Sequence, residues 1–216
     1  MSLSKRFSEQ DMERIKAAVH SAEDSISGEI VPVFVEKSGY YTIARYRGAL
    51  LASAITFLAV IVVDRFVPAL AVYDPLFIFF TVLLGGILGA VVTQFVPLLE
   101  KALVSQAHKD RSTRQRAENA FLEEEVFNTR HRTGIMIFVS FFEQEVIVMA
   151  DRGISKVVEQ KEWDKLVQGI ISKVRSGQVT DGIIEAVGRC GAILLEKGFV
   201  KTPDDVNELR DDLRIQ

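Results

Sequence analysis

The sequence predicts an α/β fold: a small mixed sheet with helices on both faces, interrupted by a transmembrane helical hairpin. Three observations support this prediction. A double apolar run extends from Gly48 to Leu99, β-branched strands are expected at 30–35 and 134–150, and amphipathic helices flank those strands. We therefore divide the chain into residues 1–47, a hairpin at 48–99 and residues 100–216, with the first and last parts forming one lobe.

The second half of the apolar run is long enough to cross a bilayer. Pro75 to Leu99 is a stretch of 25 uncharged residues, and a helix of that length exceeds a hydrocarbon core of about 30 Å. The first half is shorter, with 16 uncharged residues between Arg47 and Asp64. We expect Asp64 to lie near the far interface, because charges are costly at the bilayer centre.

Basic residues predict the orientation of the hairpin. They occur before the first span and after the second one, whereas the connecting loop contributes Arg65. Since cytoplasmic flanks are enriched in Lys and Arg, both termini are expected in the cytoplasm, at the plasma (inner) membrane of a bacterium. The basic residues of the two flanks are Lys37, Arg45, Arg47, Lys101, Lys109, Arg111, Arg114 and Arg116.

The second span contains small residues at helical spacing. Gly85 and Gly89 form a Gly-x-x-x-Gly pattern, which permits close approach of another helix. Packing against the first span is one use of this pattern, and a homodimer through Gly85 and Gly89 is the alternative.

Composition excludes several classes of protein. The net charge of −3 and the pI near 5.7 give no support for nucleic-acid binding. The single cysteine, Cys190, allows no internal disulfide, which suits a reducing compartment. Its place on the apolar face of the last long helix favours a buried hydrophobic role. The first eleven residues are polar and lack the apolar core of a signal peptide.

The flanking segments supply the elements of the lobe. Ser8 and Asp11 indicate a helix start, and that helix is followed by a strand at 30–35 in which Pro32 predicts an edge or a bulge. Later segments predict a helix at 117–127, a strand hairpin at 134–150 turning at Glu143, and two further helices. The continuous apolar character of the strands requires helices on both faces of the sheet.

Five short motifs in a fixed order make the chain resemble the TPM domain family, which includes a thylakoid-lumen protein considered a phosphatase and membrane-tethered bacterial proteins. The resemblance covers most of residues 8–36 and 112–210. Its motifs are Ala22-Glu23 with Ser27-Gly28-Glu29-Ile30, Arg132-Thr133-Gly134, Asp151-Arg152-Gly153-Ile154, Trp163, and Asp205-Val206-Asn207-Glu208-Leu209. The fold implied by the resemblance is a small sheet covered by helices on both faces.

The resemblance implies two functions. One is a non-enzymatic accessory or assembly module, held in the lipid bilayer and acting on membrane protein complexes. The other is an acid-phosphatase-like hydrolase, with Glu29 and Asp151 as the candidate catalytic pair. These two carboxylates are also the candidate ligands of a divalent cation, Ca²⁺ or Mg²⁺, and Arg152 suits a phosphate group. The same comparison adds Gly153, Asn207 and Glu208 as candidate ligand-binding residues.

Other observations weigh against catalysis. The sequence has no Gly-x-Ser-x-Gly, His-Glu-x-x-His or P-loop motif, and no histidine within the five motifs. A structural alternative also stays open for each carboxylate, with Asp151 and Gly153 forming a turn and Glu29 capping or pairing locally. A transporter or channel has little support from two spans alone.

Overall fold

The computed structural model describes residues 7–71, 73–202 and 208–216. Within these ranges the chain forms eight α-helices, four β-strands and a short 3₁₀ helix at Pro68–Leu70. The helices are α1 (Glu9–Glu23), α2 (Thr42–Phe66), α3 (Pro75–Phe95), α4 (Pro97–Leu103), α5 (Gln106–Glu123), α6 (Arg152–Ser155), α7 (Gln160–Arg175) and α8 (Val179–Glu196). The strands are β1 (Glu29–Val35), β2 (Gly134–Ser140), β3 (Glu145–Ala150) and β4 (Arg214–Ile215).

The four strands form one mixed sheet in the order β3-β2-β1-β4. β1 and β2 are parallel, and their register pairs Glu29 with Gly134 and Val35 with Ser140. β3 runs antiparallel to β2, and β4 pairs in parallel with Val33 and Phe34 of β1. The prediction of an α/β fold with a small mixed sheet is confirmed.

Side chains alternate between two apolar layers along the central strands. Ile30 and Phe34 of β1 lie in the larger core, which also contains the buried faces of α1, α7 and α8. Val31 and Val33 lie in the smaller core, together with Ala117 and Ala120 of α5. Both faces of β1 and β2 are therefore covered, which explains why their sequences show no polar alternation.

The chain separates into two compact units. One comprises residues 1–38 and 110–216, here called the lobe, and the other comprises residues 39–109, here called the hairpin unit. The strands before and after the hairpin unit belong to one sheet in the lobe. In the hairpin unit, α2 and α3 are both long and apolar enough to cross a membrane, at about 37 and 31 Å of helix respectively.

Glycines of α3 allow α2 and α3 to pack closely. A Cβ on Gly85 would overlap the side chain of Thr56, and a Cβ on Gly89 would overlap Ala52. The Thr93 hydroxyl donates to the Gly89 carbonyl at 2.8 Å, so a polar group on this face is satisfied within α3. The small-residue pattern thus serves packing inside the hairpin, and the homodimer through these glycines stays a prediction.

Three local features differ from or extend the sequence-based prediction. The helix expected at 117–127 begins earlier, because α5 covers Gln106–Glu123. Pro32 lies within β1 as the register partner of Ile137 of β2. On the other side of β1, β4 pairs with Val33 and Phe34 and does not reach Pro32. The strand β4 was not predicted.

The chain leaves the lobe for the hairpin unit at the carboxyl end of β1. There the Ser38 hydroxyl donates to the Ser140 hydroxyl at 2.8 Å, and the Ser38 amide donates to the Glu143 carboxylate at 3.1 Å. Glu143 is 4% exposed and also accepts a hydrogen bond from Ser140. These contacts hold the segment that follows β1 against the turn between β2 and β3.

Candidate functional site

The predicted site residues that the structure describes lie at the opposite end of the strands, near the start of β1 and β2. Glu29 is the register partner of Gly134, and the Asp151 amide donates to the Gly134 carbonyl at 2.8 Å. Glu29, Gly134 and Asp151 therefore lie in one row across three neighbouring strands. Two strand spacings separate the Cα atoms of Glu29 and Asp151, which corresponds to about 10 Å.

The Glu29 carboxylate is bound by backbone amides of the C-terminal segment. It is 7% exposed and accepts hydrogen bonds from the amides of Glu208 at 3.0 Å and Leu209 at 3.4 Å. Burial raises the pKa of Glu29, and the two amide donors oppose that shift. Glu29 thus holds the C-terminal segment against the start of β1.

Glu208 belongs to the same contact. Its carboxylate accepts from the Arg130 amide at 2.9 and 3.2 Å, while its own amide donates to Glu29. The backbone of Glu208 therefore contacts Glu29, and the role of Glu208 as a ligand-binding residue stays a prediction. Asn207 lies outside the described residues.

Asp151 caps the short helix α6. One carboxylate oxygen accepts from the Arg152 amide at 2.6 Å. The other oxygen, Oδ2, is buried without a hydrogen-bond donor and lies 3.4 Å from Nε of Arg132. The structure thus shows a helix cap where the sequence alternative predicted a turn with Gly153. It also shows an ion pair with Arg132, whose guanidinium donates to the Phe127 carbonyl at 2.7 Å.

Gly153 and Arg152 play different parts beside this carboxylate. The Gly153 amide donates to the Arg132 carbonyl at 2.9 Å, and a Cβ at this position would lie 2.5 Å from that same oxygen. Glycine is therefore required by close backbone packing. The Arg152 side chain is exposed and can reach a ligand in solvent.

A buried carboxylate that was not assigned to the site lies close by. Glu23, at the end of α1, is 6% exposed, and its Oε1 accepts from the Ile30 amide at 2.7 Å. Burial raises the pKa of Glu23 to about 8, and the charges of Glu29 and Asp211 act in the same direction. Its position four residues after the buried Val19 is the sequence signal for this inward orientation.

The described residues contain no group of three or more His, Cys, Asp or Glu side chains arranged to hold a metal ion. The pairing of Glu29 with Asp151 as cation ligands remains a prediction. Cys190 is fully buried, and burial raises the pKa of its thiol to about 12. This cysteine is therefore an inert core residue and not a nucleophile.

Comparisons with known proteins found a family-model match over part of the chain and a structural neighbour. Residues 94–193 match the family model described as the TPM domain, a range that contains Asp151, Arg152 and Gly153. The fold resembles the NMR structure of the BA42 protein from the psychrophilic bacterium Bizionia argentinensis, with a TM-score of 0.60 and 17% sequence identity. That likeness covers 97% of this chain and 95% of the BA42 chain. Among curated proteins there is no significant match.

Proposed function

We propose that this chain, whose residues 94–193 match the TPM domain model, is a membrane-anchored accessory module whose lobe faces the cytoplasm and acts on membrane protein complexes. The pairing of β1 with β2 carries the anchoring part of this proposal. These strands flank the two apolar helices in sequence, yet they lie side by side in one sheet. Both ends of a membrane-crossing hairpin must therefore emerge on the same side, and the basic flanks favour the cytoplasm.

The contacts that Glu29 and Asp151 already make within the lobe favour a binding role over a catalytic one. Glu29 is engaged by two backbone amides, and Asp151 caps α6 and pairs with Arg132. Both therefore have structural roles. The exposed Arg152 guanidinium beside them offers a charged contact to an acidic partner surface.

Cysteine labelling in intact cells tests the anchoring. Cys190 is fully buried, so a maleimide should label a cysteine introduced at an exposed position without labelling Cys190. We expect Leu70→Cys, between the apolar helices, to react with a membrane-impermeant maleimide. Glu13→Cys on α1 and Lys161→Cys on α7 should react only after the cells are lysed. Labelling of either lobe position in intact cells would overturn the cytoplasmic orientation.

Site-specific photo-crosslinking tests the contact with membrane proteins. A photoreactive residue at Arg152 should form discrete adducts with integral membrane proteins, whereas the same residue at exposed Glu185 on α8 serves as the matched control. Identical adduct patterns at the two positions, or no adducts at Arg152, would reject this edge as the partner surface.

The second candidate function is hydrolysis of phosphate esters, and one observation favours it. The buried Oδ2 atom of Asp151 accepts no hydrogen bond, and beside its ion-pair contact with Nε of Arg132 at 3.4 Å it keeps a lone pair for a further ligand. A divalent cation held by Asp151 and Glu29 would satisfy it, with Arg152 orienting the substrate phosphate. Detergent-solubilised protein should then cleave p-nitrophenyl phosphate only with Mg²⁺ or Ca²⁺, and Asp151→Asn should abolish cleavage.

Asp164→Asn, at an exposed position on α7, is the matched control for that assay. Asparagine also caps helices well, so Asp151→Asn should leave α6 intact. Metal-independent activity, or activity that survives Asp151→Asn, would defeat the hydrolase assignment.

A further inference from the structure

Basic side chains gather at the end of the hairpin unit where the chain enters and leaves it. Arg45 and Arg47 lie in the first two turns of α2, and Lys101 lies on α4, which directly follows α3. We call these three residues the basic collar. The Arg47 guanidinium donates to the Leu103 carbonyl at 2.6 Å, which ties the start of α2 to the end of α4.

The two ends of the hairpin unit differ in charge. At the collar end, three basic residues are opposed by Glu100, and Lys109 is buried. At the other end, Arg65 is accompanied by Asp64 and Asp74. The collar end is therefore positive and the far end is not.

The collar combines charge with exposed apolar and aromatic surface. Tyr46, between the two arginines, is 72% exposed, and Leu98 on α4 is 76% exposed. Within the described part of the chain, Arg45 is exposed and has neither an ion pair nor a side-chain hydrogen bond. A guanidinium with free donors next to an exposed tyrosine, at the end of the hairpin unit that also carries the exposed Leu98, matches the boundary between headgroups and acyl chains.

We propose that the basic collar binds the phosphate groups of anionic phospholipids of the phosphatidylglycerol type. This inference rests on the membrane anchoring proposed above. Arginine suits the role because its planar guanidinium binds two phosphate oxygens at once. The positions of Arg45 and Arg47, two residues apart on one helix, direct them to different sides of α2, so the collar contacts several lipids around the hairpin.

Electron paramagnetic resonance of spin-labelled lipids tests the proposal. The full chain is reconstituted in phosphatidylcholine vesicles that contain a trace of spin-labelled phosphatidylglycerol or spin-labelled phosphatidylcholine. The motionally restricted fraction gives the relative association of the two lipids with the protein. We expect phosphatidylglycerol to be favoured by about fivefold per engaged basic residue, with the preference falling as salt is raised.

Variants assign the preference to the collar. Arg45→Gln should reduce the preference for phosphatidylglycerol without disturbing the hydrogen bond between Arg47 and Leu103. The double variant with Arg47→Gln should reduce this preference further. Arg65→Gln removes the same charge from the far end and should leave it unchanged. Equal association of both lipids with the unmodified chain, or equal losses for Arg45→Gln and Arg65→Gln, would overturn the proposal.

A separate measurement distinguishes failure of the membrane anchoring from failure of the collar proposal alone. After alkaline carbonate extraction, an inserted hairpin should float with the vesicles. If the chain instead stays in the supernatant, both the anchoring and the collar proposal are wrong. If it floats but shows no lipid preference, only the collar proposal is wrong.

Discussion

A Cβ on Gly134 would overlap the carbonyl oxygen of Val126, so no side chain fits between these two backbone segments. Gly134 begins β2 in register with Glu29, and its own carbonyl accepts the Asp151 amide. One glycine thus fixes the distance between the loop after α5 and the edge that carries both candidate carboxylates.

Gly134→Ala should therefore destabilise the lobe. A Cβ at this position must displace backbone, and overpacking of this kind costs about 1–3 kcal/mol of unfolding free energy. Thermal unfolding in detergent measures the effect. Gly169→Ala on α7 is the matched control, because a Cβ there meets nothing within 4 Å and alanine stabilises helices by about 1 kcal/mol. Equal melting temperatures for the two variants would contradict the packing argument.

Glu23 should make the lobe less stable as pH rises. Its folded pKa of about 8 exceeds the ordinary value of 4.5, so between these values the folded state holds a proton that the unfolded state has released. Its contribution is therefore full below about pH 4.5 and is lost as pH rises to about 8, with a slope of up to about 1.4 kcal/mol per pH unit.

Glu23→Gln tests this linkage. Glutamine keeps an acceptor for the Ile30 amide and has no charge to bury, so the variant should melt at a higher temperature than the unmodified chain at pH 8. The difference should shrink towards pH 5. Glu13→Gln, at an exposed position on the same helix, should leave the melting temperature unchanged at both pH 8 and pH 5. A difference that does not vary with pH would refute the buried charge as its cause.

Glu29 should control the attachment of the C-terminal segment. Glu29→Ala removes the acceptor of the Glu208 and Leu209 amides, a loss of about 1–2 kcal/mol. Hydrogen exchange at these two amides should accelerate roughly tenfold or more. Glu29→Gln retains one acceptor oxygen and should give an intermediate rate. Unchanged exchange in Glu29→Ala would mean that other contacts hold the segment.

Gly89→Leu should weaken the pairing of α2 with α3. The position faces Ala52 so closely that a Cβ overlaps its methyl group, and a leucine would force the helices apart. The melting temperature in detergent should fall, whereas Leu88→Ile at an exposed neighbouring position should have little effect. Chemical crosslinking of the same samples tests the homodimer: a dimer that is present in the unmodified chain and lost in Gly89→Leu would support it.

The sequence was sufficient for the features that depend on repeated local signals. The apolar strands predicted a sheet covered on both faces, and the uninterrupted apolar runs predicted α2 and α3. The start of α5 was missed because residues 106–116 are polar on every side and show no apolar stripe. β4 was missed because a strand of two residues has no periodicity to detect.

The site was only partly predictable for a different reason. The local structure at Asp151 depends on its immediate neighbours, so the sequence could indicate a change of chain direction there, but it predicted a turn with Gly153 and not the helix cap that the structure shows. The amides that bind Glu29 lie about 180 positions further along the chain, and no local pattern indicates such a contact. Glu23 could have been placed inside from its spacing to Val19, but its raised pKa depends on neighbours from other segments.

The insertion of the hairpin unit between β1 and β2 also imposes an order on biosynthesis. β1 leaves the ribosome long before Gly134 and the rest of its principal partner have been translated. Under the proposed anchoring, the apolar helices are available to the insertion machinery during that interval, so membrane integration should precede closure of the sheet. A nascent chain stalled before β2 should consequently be integrated in the bilayer while β1 remains sensitive to protease.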